Sequence, residues 1–538
     1  MRIKLFLLLI IIFLGFFLRF YKLADFPIQL NHDEVSQLYD VRSIVETNKD
    51  VYGNFLPLAF PSTGEYKVGH YIYITTLFYK IFGPREITVR LPAAFFGSLT
   101  ILTAFLFVKK LTGNWILALL SSLMIAITPS EIFYSRKSFE NVIGVTLDFL
   151  GSYFLLKSLN LEKKKIWGIV GIFLLSLAMY IYTAQTIIVP LLLILFAAIY
   201  KTSLKPGWKK LSTFLFAWIL FITPLLIVSA TNSGLRFRAA SVFITQDSNL
   251  GRMIELTGNP IKSYLDFGAT RYLNQFNPIY IFANGLDLTN QGLIGSGPLL
   301  FFQLPFLILG ILFLVRQKNM NNVKKLLFGM VLISMIPSAI TFEAFSPHRA
   351  MLSFSTMSII SAFGLYWFLK SLWSFRKTFY FKFIISTVVF FGFFLNVIYF
   401  LFIYTVGYSF EKSQKLQYPF KQVAQFVWSE YHNFDHIIWD PKFGEVAPVT
   451  AVGTHYYLAY YGNYPPKKFQ SEYRIEDQGL SFDKFSIRNV MWAKDKNFKK
   501  VLIIVSPWSV PIDSLDKGQI IKRFNFYDGQ LAFYAIKL

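Results

Sequence analysis

Apolar runs of about 18 or more residues recur along most of this 538-residue chain, and that is the length a helix needs to cross a bilayer. The first is "KLFLLLIIIFLGFFLRFYKL", residues 4–23. Composition agrees: 54% of the chain is hydrophobic and only 15% charged, whereas a soluble chain carries about a quarter charged residues. The expected fold class is therefore a polytopic α-helical membrane protein. With no cysteine, disulfides, zinc-thiolate sites and cysteine nucleophiles are excluded.

The formal net charge of +23 invites a nucleic-acid reading, so the placement of the charges decides. Basic residues gather in short connectors: Arg2 and Lys4; Lys109 and Lys110; Lys157 with Lys163, Lys164 and Lys165; Lys201, Lys205, Lys209 and Lys210. Arg316, Lys318, Lys324 and Lys325 follow, then Arg376, Lys377 and Lys382. Cytoplasmic loops concentrate Lys and Arg in this way. No basic stripe falls on a soluble domain, so nucleic acid is not an expected partner.

With a cytoplasmic N-terminus, the first helix, about 3–23, delivers "NHDE" to the outside, and "LADFP" is a poor cleavage site, so this helix is expected to be retained. The short, polar-interrupted "GHYIYITTLFYKIFG" (69–83) suits an interfacial or re-entrant segment better than a span. The second span is then about 90–110. Others near 115–130, 142–159, 166–182, 185–200, 211–230, 298–316, 326–342, 350–371 and 383–406 bring the expected number to about eleven. Residues 1–410 form the transmembrane module, with external loops at 24–89 and 231–297. Residues 411–538 carry an amphipathic "PFKQVAQFVWSEY" and the β-like runs "HIIWD", "VLIIVS" and "GQLAFYAIKL". They read as a small external α/β or α+β domain, for which selection of the acceptor is a hypothesis.

This threading puts Asp33, Glu34, Lys67, the "SRKSFEN" loop (135–141) and "SPHR" (346–349) on the same side. Each has a plain reading. Asp33 and Glu34 are a hydrated boundary pair, Glu140 pairs with Arg136 or Lys137, Lys67 snorkels, and His348 is structural. Arg349 stands apart, because the topology rule gives no reason for a cation there. Taken as a set, cations at headgroup depth suit a phosphate anion, and a carboxylate suits a base that takes a proton from a hydroxyl. "GLIGSGP" (292–298) reads as a flexible lead into the next helix or as a phosphate cradle.

"DE" soon after the first helix, then "GPREITVRLPAAFFGSLT", "TPSEIFYSRKSFEN", "RYLNQFNPIYIFANG", "GSGPLLFFQLPFLILGILFLV" and "SPHRAMLSFSTMSIISAFGL" resemble one family. It comprises the bacterial relatives of protein O-mannosyltransferases and of the aminoarabinose transferase that modifies lipid A. The resemblance covers about residues 1–410 and implies a GT-C glycosyltransferase of the cell membrane, using a polyprenyl-phosphate sugar, with its active site and C-terminal domain extracytoplasmic. It implies catalytic roles for Asp33, Glu34 and Glu140, and lipid-phosphate roles for Lys67, Arg349, His348 and Arg136. Relatives carry Pro-Pro after the Lys67 position, where this chain reads "KVGHY". The chain contains no Asp-x-Asp, the usual sign of metal-held nucleotide-sugar binding. No cofactor is required, although a divalent cation bridging acids and phosphate is compatible with the same residues. The expected reaction is an inverting transfer with Asp33 as general base, onto a protein, glycolipid or glycan hydroxyl. The rival expectation is a transporter or flippase of lipid-linked sugars. Transporters hold ionisable groups mid-span, and Asp148 is the main such acid here.

Overall fold

A computed structural model describes residues 2–61, 66–159, 165–201, 208–286, 292–374, 378–477, 479–515 and 518–538. Lys163, Lys164, Lys205, Arg376 and Lys377 lie outside the described residues, as do the side chains of Lys67, Lys209 and Lys210.

The chain forms two compact units and passes between them more than once: 1–21 with 92–404, and 22–91 with 405–538. Helix α1 (Arg2–Phe20) starts the first. The chain then contributes α2 (His32–Thr47), a short antiparallel pair of β1 (Ala59–Pro61) and β2 (Tyr66–Val68), and α3 (His70–Phe82) to the second. Segment 69–83, expected to lie along the membrane, forms α3, whose Ile72 packs with Val41, Ile44 and Phe60.

From Pro92 to Phe402 the described residues of the first unit are mostly helical. Among the described residues, six helices are long and apolar enough to cross a membrane: Arg2–Phe20, Leu91–Thr112, Ser212–Thr231, Lys318–Ala339, Met351–Ser374 and Phe379–Glu411. The pair Trp115–Ile127 and Pro129–Ser135 passes the same test together, bent by 55°. Pro129 opens its second half, where a missing N–H is harmless. Lys165–Ile181, Gln185–Ile199 and Phe301–Arg316 are apolar but shorter. Helix α4 (Asn141–Ser158) carries Asp148, which accepts from Gln185 at 2.8 Å. Every segment expected to span is thus at least partly helical, yet only six or seven qualify by length and composition. Expected loop 231–297 holds three helices, Ser233–Ser241, Ser248–Thr257 and Pro260–Asn274. "GLIGSGP" is packed rather than open at its end: the Pro298 carbonyl accepts from Ser130 N–H, and a Cβ on Gly297 would meet the Ile281 carbonyl.

In the second unit the last residues supply α5 (Pro419–Ser429), α6 (Thr454–Tyr461) and a seven-stranded mixed sheet. Its strands are β3 (His436–Trp439), β6 (Arg474–Glu476), β7 (Gly479–Phe482), β8 (Phe485–Arg488), β9 (Val501–Val505), β10 (Ile520–Asn525) and β11 (Leu531–Lys537). β4 (Lys442–Phe443) and β5 (Val449–Thr450) pair separately. The spatial order is β10-β11-β9-β3-β8-β7-β6, with β3 parallel to both neighbours. β9 is buried along its whole length, which is why it reads as the unbroken apolar run VLIIV rather than an alternation.

The α/β character expected of 411–538 is present, but the boundary at 410 needs correcting. Residues 22–91, assigned by sequence to the transmembrane module, fold with the C-terminal sheet. The physical reason is α2, buried from Glu34 to Ile44. Tyr39 donates to the Tyr464 carbonyl at 3.0 Å, and Gln470 donates to Ser43, Thr47 and the Asp50 carbonyl.

Candidate active site

The acidic pair opens α2, and its two members have opposite environments. Asn31 is the N-cap. Its side chain accepts from Glu34 N–H at 2.9 Å, while the Glu34 carboxylate accepts from Asn31 N–H at 3.3 Å. This reciprocal capping box satisfies two N–H groups that a helix start otherwise leaves unpaired. Glu34 is buried at 2% exposure and also meets Arg90 through two bonds of 2.8 and 3.0 Å. The rest of the Arg90 guanidinium donates to the carbonyls of Leu23, Pro27 and Gln29 at 3.1, 2.9 and 2.7 Å. A buried charge pair is tolerable only when its remaining donors and acceptors are met, and here the guanidinium is surrounded.

Asp33 lies one residue earlier, in the first turn, with its side chain 42% exposed. A carboxylate there faces the positive end of the helix. His32 Nε2 is 3.6 Å from its Oδ2. Glu34 is thus buried in contacts that hold the loop, whereas the Asp33 side chain is half-exposed. Lys67 belongs to β2, opposite Phe60 in register.

The remaining candidates belong to the helical unit. Arg136, buried at 4%, donates to the carbonyls of Leu18 and Arg19 at 3.1 and 3.2 Å and sits over the Tyr404 ring. It therefore caps the C-terminal end of α1, where carbonyls lack helical partners. Lys137, buried at 1%, holds its ammonium 4.5 Å from the Phe133 ring centroid and 5.8 Å from that of Phe139. Glu140 stands immediately before α4. The next residue, Asn141, donates to the His348 carbonyl at 2.9 Å, and the His348 ring packs among Phe139, Tyr134 and Tyr182. The structure thus brings His348 against the 139–141 loop. Arg349 pairs with Glu343 at 2.8 Å and donates to Thr341 at 2.8 Å, while Ser346 donates to the same Glu343 carboxylate at 2.7 Å.

Sequence reasoning passed over Arg90 and Glu343, and took Lys137 only as a partner for Glu140. Arg90 carried the signal used for Arg349: a cation at the outer end of an expected span, where the topology rule supplies no reason for one. Among the described residues, no three His, Asp or Glu side chains gather as metal ligands.

The family model for dolichyl-phosphate-mannose-protein mannosyltransferase matches residues 70–227. Solved structures resemble the chain over most of its length. One is the archaeal oligosaccharyltransferase AglB from Archaeoglobus fulgidus, in complex with an inhibitory peptide and a dolichol-phosphate. It matches with a TM-score of 0.54 at 13% identity, over 85% of this chain and 63% of AglB. ArnT from Cupriavidus metallidurans matches with a TM-score of 0.53 at 12% identity in the apo state, over 99% of this chain and 97% of ArnT. Its complex with undecaprenyl phosphate gives 0.52 at 11%. The chain thus spans just under two thirds of the length of AglB and nearly all of ArnT. Comparison with curated sequences returns no match. The chain shares the fold of AglB and ArnT, and with its long apolar helices it is a multi-pass membrane protein.

Proposed function

We propose that this GT-C protein is a glycosyltransferase that moves a sugar from a polyprenyl-phosphate donor to an acceptor hydroxyl on the extracytoplasmic side, with about eleven membrane crossings. The observation that carries the reading is the contrast within the acidic pair: Glu34 is locked to Arg90, whereas Asp33 is half-exposed at the start of α2. The fold supports it, as do the lipid phosphates named in the AglB and ArnT structures.

In this reading Asp33 accepts the proton of the acceptor O–H. The freed oxygen forms a bond to the anomeric carbon, and the bond from that carbon to the phosphate oxygen breaks with its electron pair leaving on the phosphate. Attack opposite the leaving group inverts the centre. Lys67 and Arg349 take the phosphate-binding role, with His348 beside Arg349 in sequence, and Glu140 is the second acid. A divalent cation would add positive charge at the leaving phosphate. Arg136 has the weakest claim, because the carbonyls ending α1 already occupy its guanidinium.

The test is to incubate purified protein with a radiolabelled polyprenyl-phosphate sugar. Release or transfer of the label is expected. Stable binding without turnover contradicts the reading and favours a transporter of lipid-linked sugars.

A further inference from the structure

The residues just before Asp33 are held by the C-terminal part of the chain. Gln417 and Tyr457 are buried, at 4% and 0% exposure, and so are Gln29, Leu30 and Asn31. Gln417 Oε1 accepts from the His32 backbone N–H at 3.2 Å. The Tyr457 hydroxyl sits 3.0 Å from the Leu30 carbonyl oxygen and 3.2 Å from Gln417 Oε1, and donates to that pair. Gln29 returns the contact, its amide donating to the carbonyls of Leu416 and Gln417. Gln417 Nε2 in turn donates to the Val452 carbonyl at 3.1 Å.

Two details make this more than ordinary packing. Gln417 has φ +54, a left-handed conformation that costs a residue other than glycine about 1–3 kcal/mol and persists only where its surroundings fix it. Its side chain is engaged at both ends: the amide oxygen faces His32 and Tyr457, and the amide nitrogen faces Val452. Tyr457 stays protonated, since burial raises its pKa well above the usual tyrosine value and the carboxylates of Glu34, Asp33 and Glu86 add to the effect. It is therefore a permanent donor to this strip of backbone.

We infer that Gln417 and Tyr457 are positioning residues for Asp33, fixing the backbone from Gln29 to His32 so that the carboxylate at the next position meets the acceptor hydroxyl in a reactive orientation. The inference rests on Asp33 being the base. It makes the C-terminal segment part of the catalytic apparatus, in place of a detachable selector of acceptors. A carboxylate displaced by about 1 Å can lose up to a hundredfold in rate while ground-state binding is unaltered.

A matched pair of hydroxyl deletions tests this. Tyr457 and Tyr460 both lie on α6, and each gives its O–H to a first-loop carbonyl, Leu30 in one case and Pro84 in the other, both at 3.0 Å. Only the first precedes Asp33. The full-length protein and its Tyr457→Phe, Tyr460→Phe, Gln417→Ala and Asp33→Asn variants would be assayed for hydrolysis of a polyprenyl-phosphate sugar, with thermal midpoints measured alongside. The expected result is a fall in kcat of about tenfold or more for Tyr457→Phe and Gln417→Ala at unchanged donor KM. Tyr460→Phe should stay within about twofold of the parent, whatever its thermal midpoint. Equal kcat for the two phenylalanine variants, or a loss confined to KM, overturns the inference while Asp33→Asn remains inactive. Full activity in Asp33→Asn overturns this inference and the assignment of the base together.

Discussion

The start of α2 and the 135–141 loop both bury charge beside a helix end, and different groups are seen to hold it. At α2 a buried carboxylate meets a buried guanidinium directly, Glu34 to Arg90, and backbone groups complete both. At 135–141 the described contacts of the buried cations include neutral groups: Arg136 donates to the carbonyls of α1, and Lys137 lies beside aromatic rings. Burial therefore separates holding from presenting. A charge with its hydrogen-bonding capacity spent inside the protein fixes a backbone, as Glu34 does, whereas Asp33 keeps a half-exposed side chain, the feature on which its proposed role rests.

The largest effect that would sharpen this contrast comes from breaking the direct pair. Glu34→Ala leaves Arg90 buried without its carboxylate, and the expected loss is about 3–5 kcal/mol of stability. Chemical denaturation in detergent measures it. A loss below about 1 kcal/mol would mean that Arg90 is not confined as described. Arg136→Ala should cost less, about 1–3 kcal/mol, because it leaves neutral carbonyls unpaired rather than a charge. Equal losses for the two variants would erase the distinction.

A third effect, absent at neutral pH and growing as pH falls, concerns the packing behind α2. His455 on α6 is buried against Tyr456, Phe469 and Tyr473, and burial lowers its pKa from 6.5 to about 3. Between those values the unfolded chain binds a proton that the folded chain does not. This contribution to stability is full above pH 6.5 and is lost as pH falls, by up to about 1.4 kcal/mol per pH unit. Replacing it, His455→Phe, should flatten the dependence of the thermal midpoint on pH below 6.5. An unchanged slope would mean that the ring is hydrated.

How much of this was legible in sequence follows from how local each cause is. The long helices were legible because a bilayer demands uninterrupted apolar runs, and β3, β9 and β11 because their apolar segments stand out in a mixed background. The N-cap of α2 went unread, although its signal is local: Asn31 followed three residues later by Glu34. Strands β6, β7, β8 and β10 are short or carry exposed polar residues, so they gave little signal. The joining of the first loop to the C-terminal sheet was not legible. It depends on contacts such as Tyr39 to Tyr464, 425 positions apart, which no local pattern encodes. The different fates of Asp33 and Glu34 were hidden for the same reason, since adjacent acids are alike in sequence until Arg90, 56 positions on, claims one of them.

The most direct test compares Asp33→Asn with the unaltered protein in transfer of a radiolabelled sugar from polyprenyl phosphate. A general base contributes about 10²–10⁴-fold, so the variant should lose that much kcat while keeping its thermal midpoint and its affinity for the lipid donor. Transfer by Asp33→Asn at the parental rate would contradict the account.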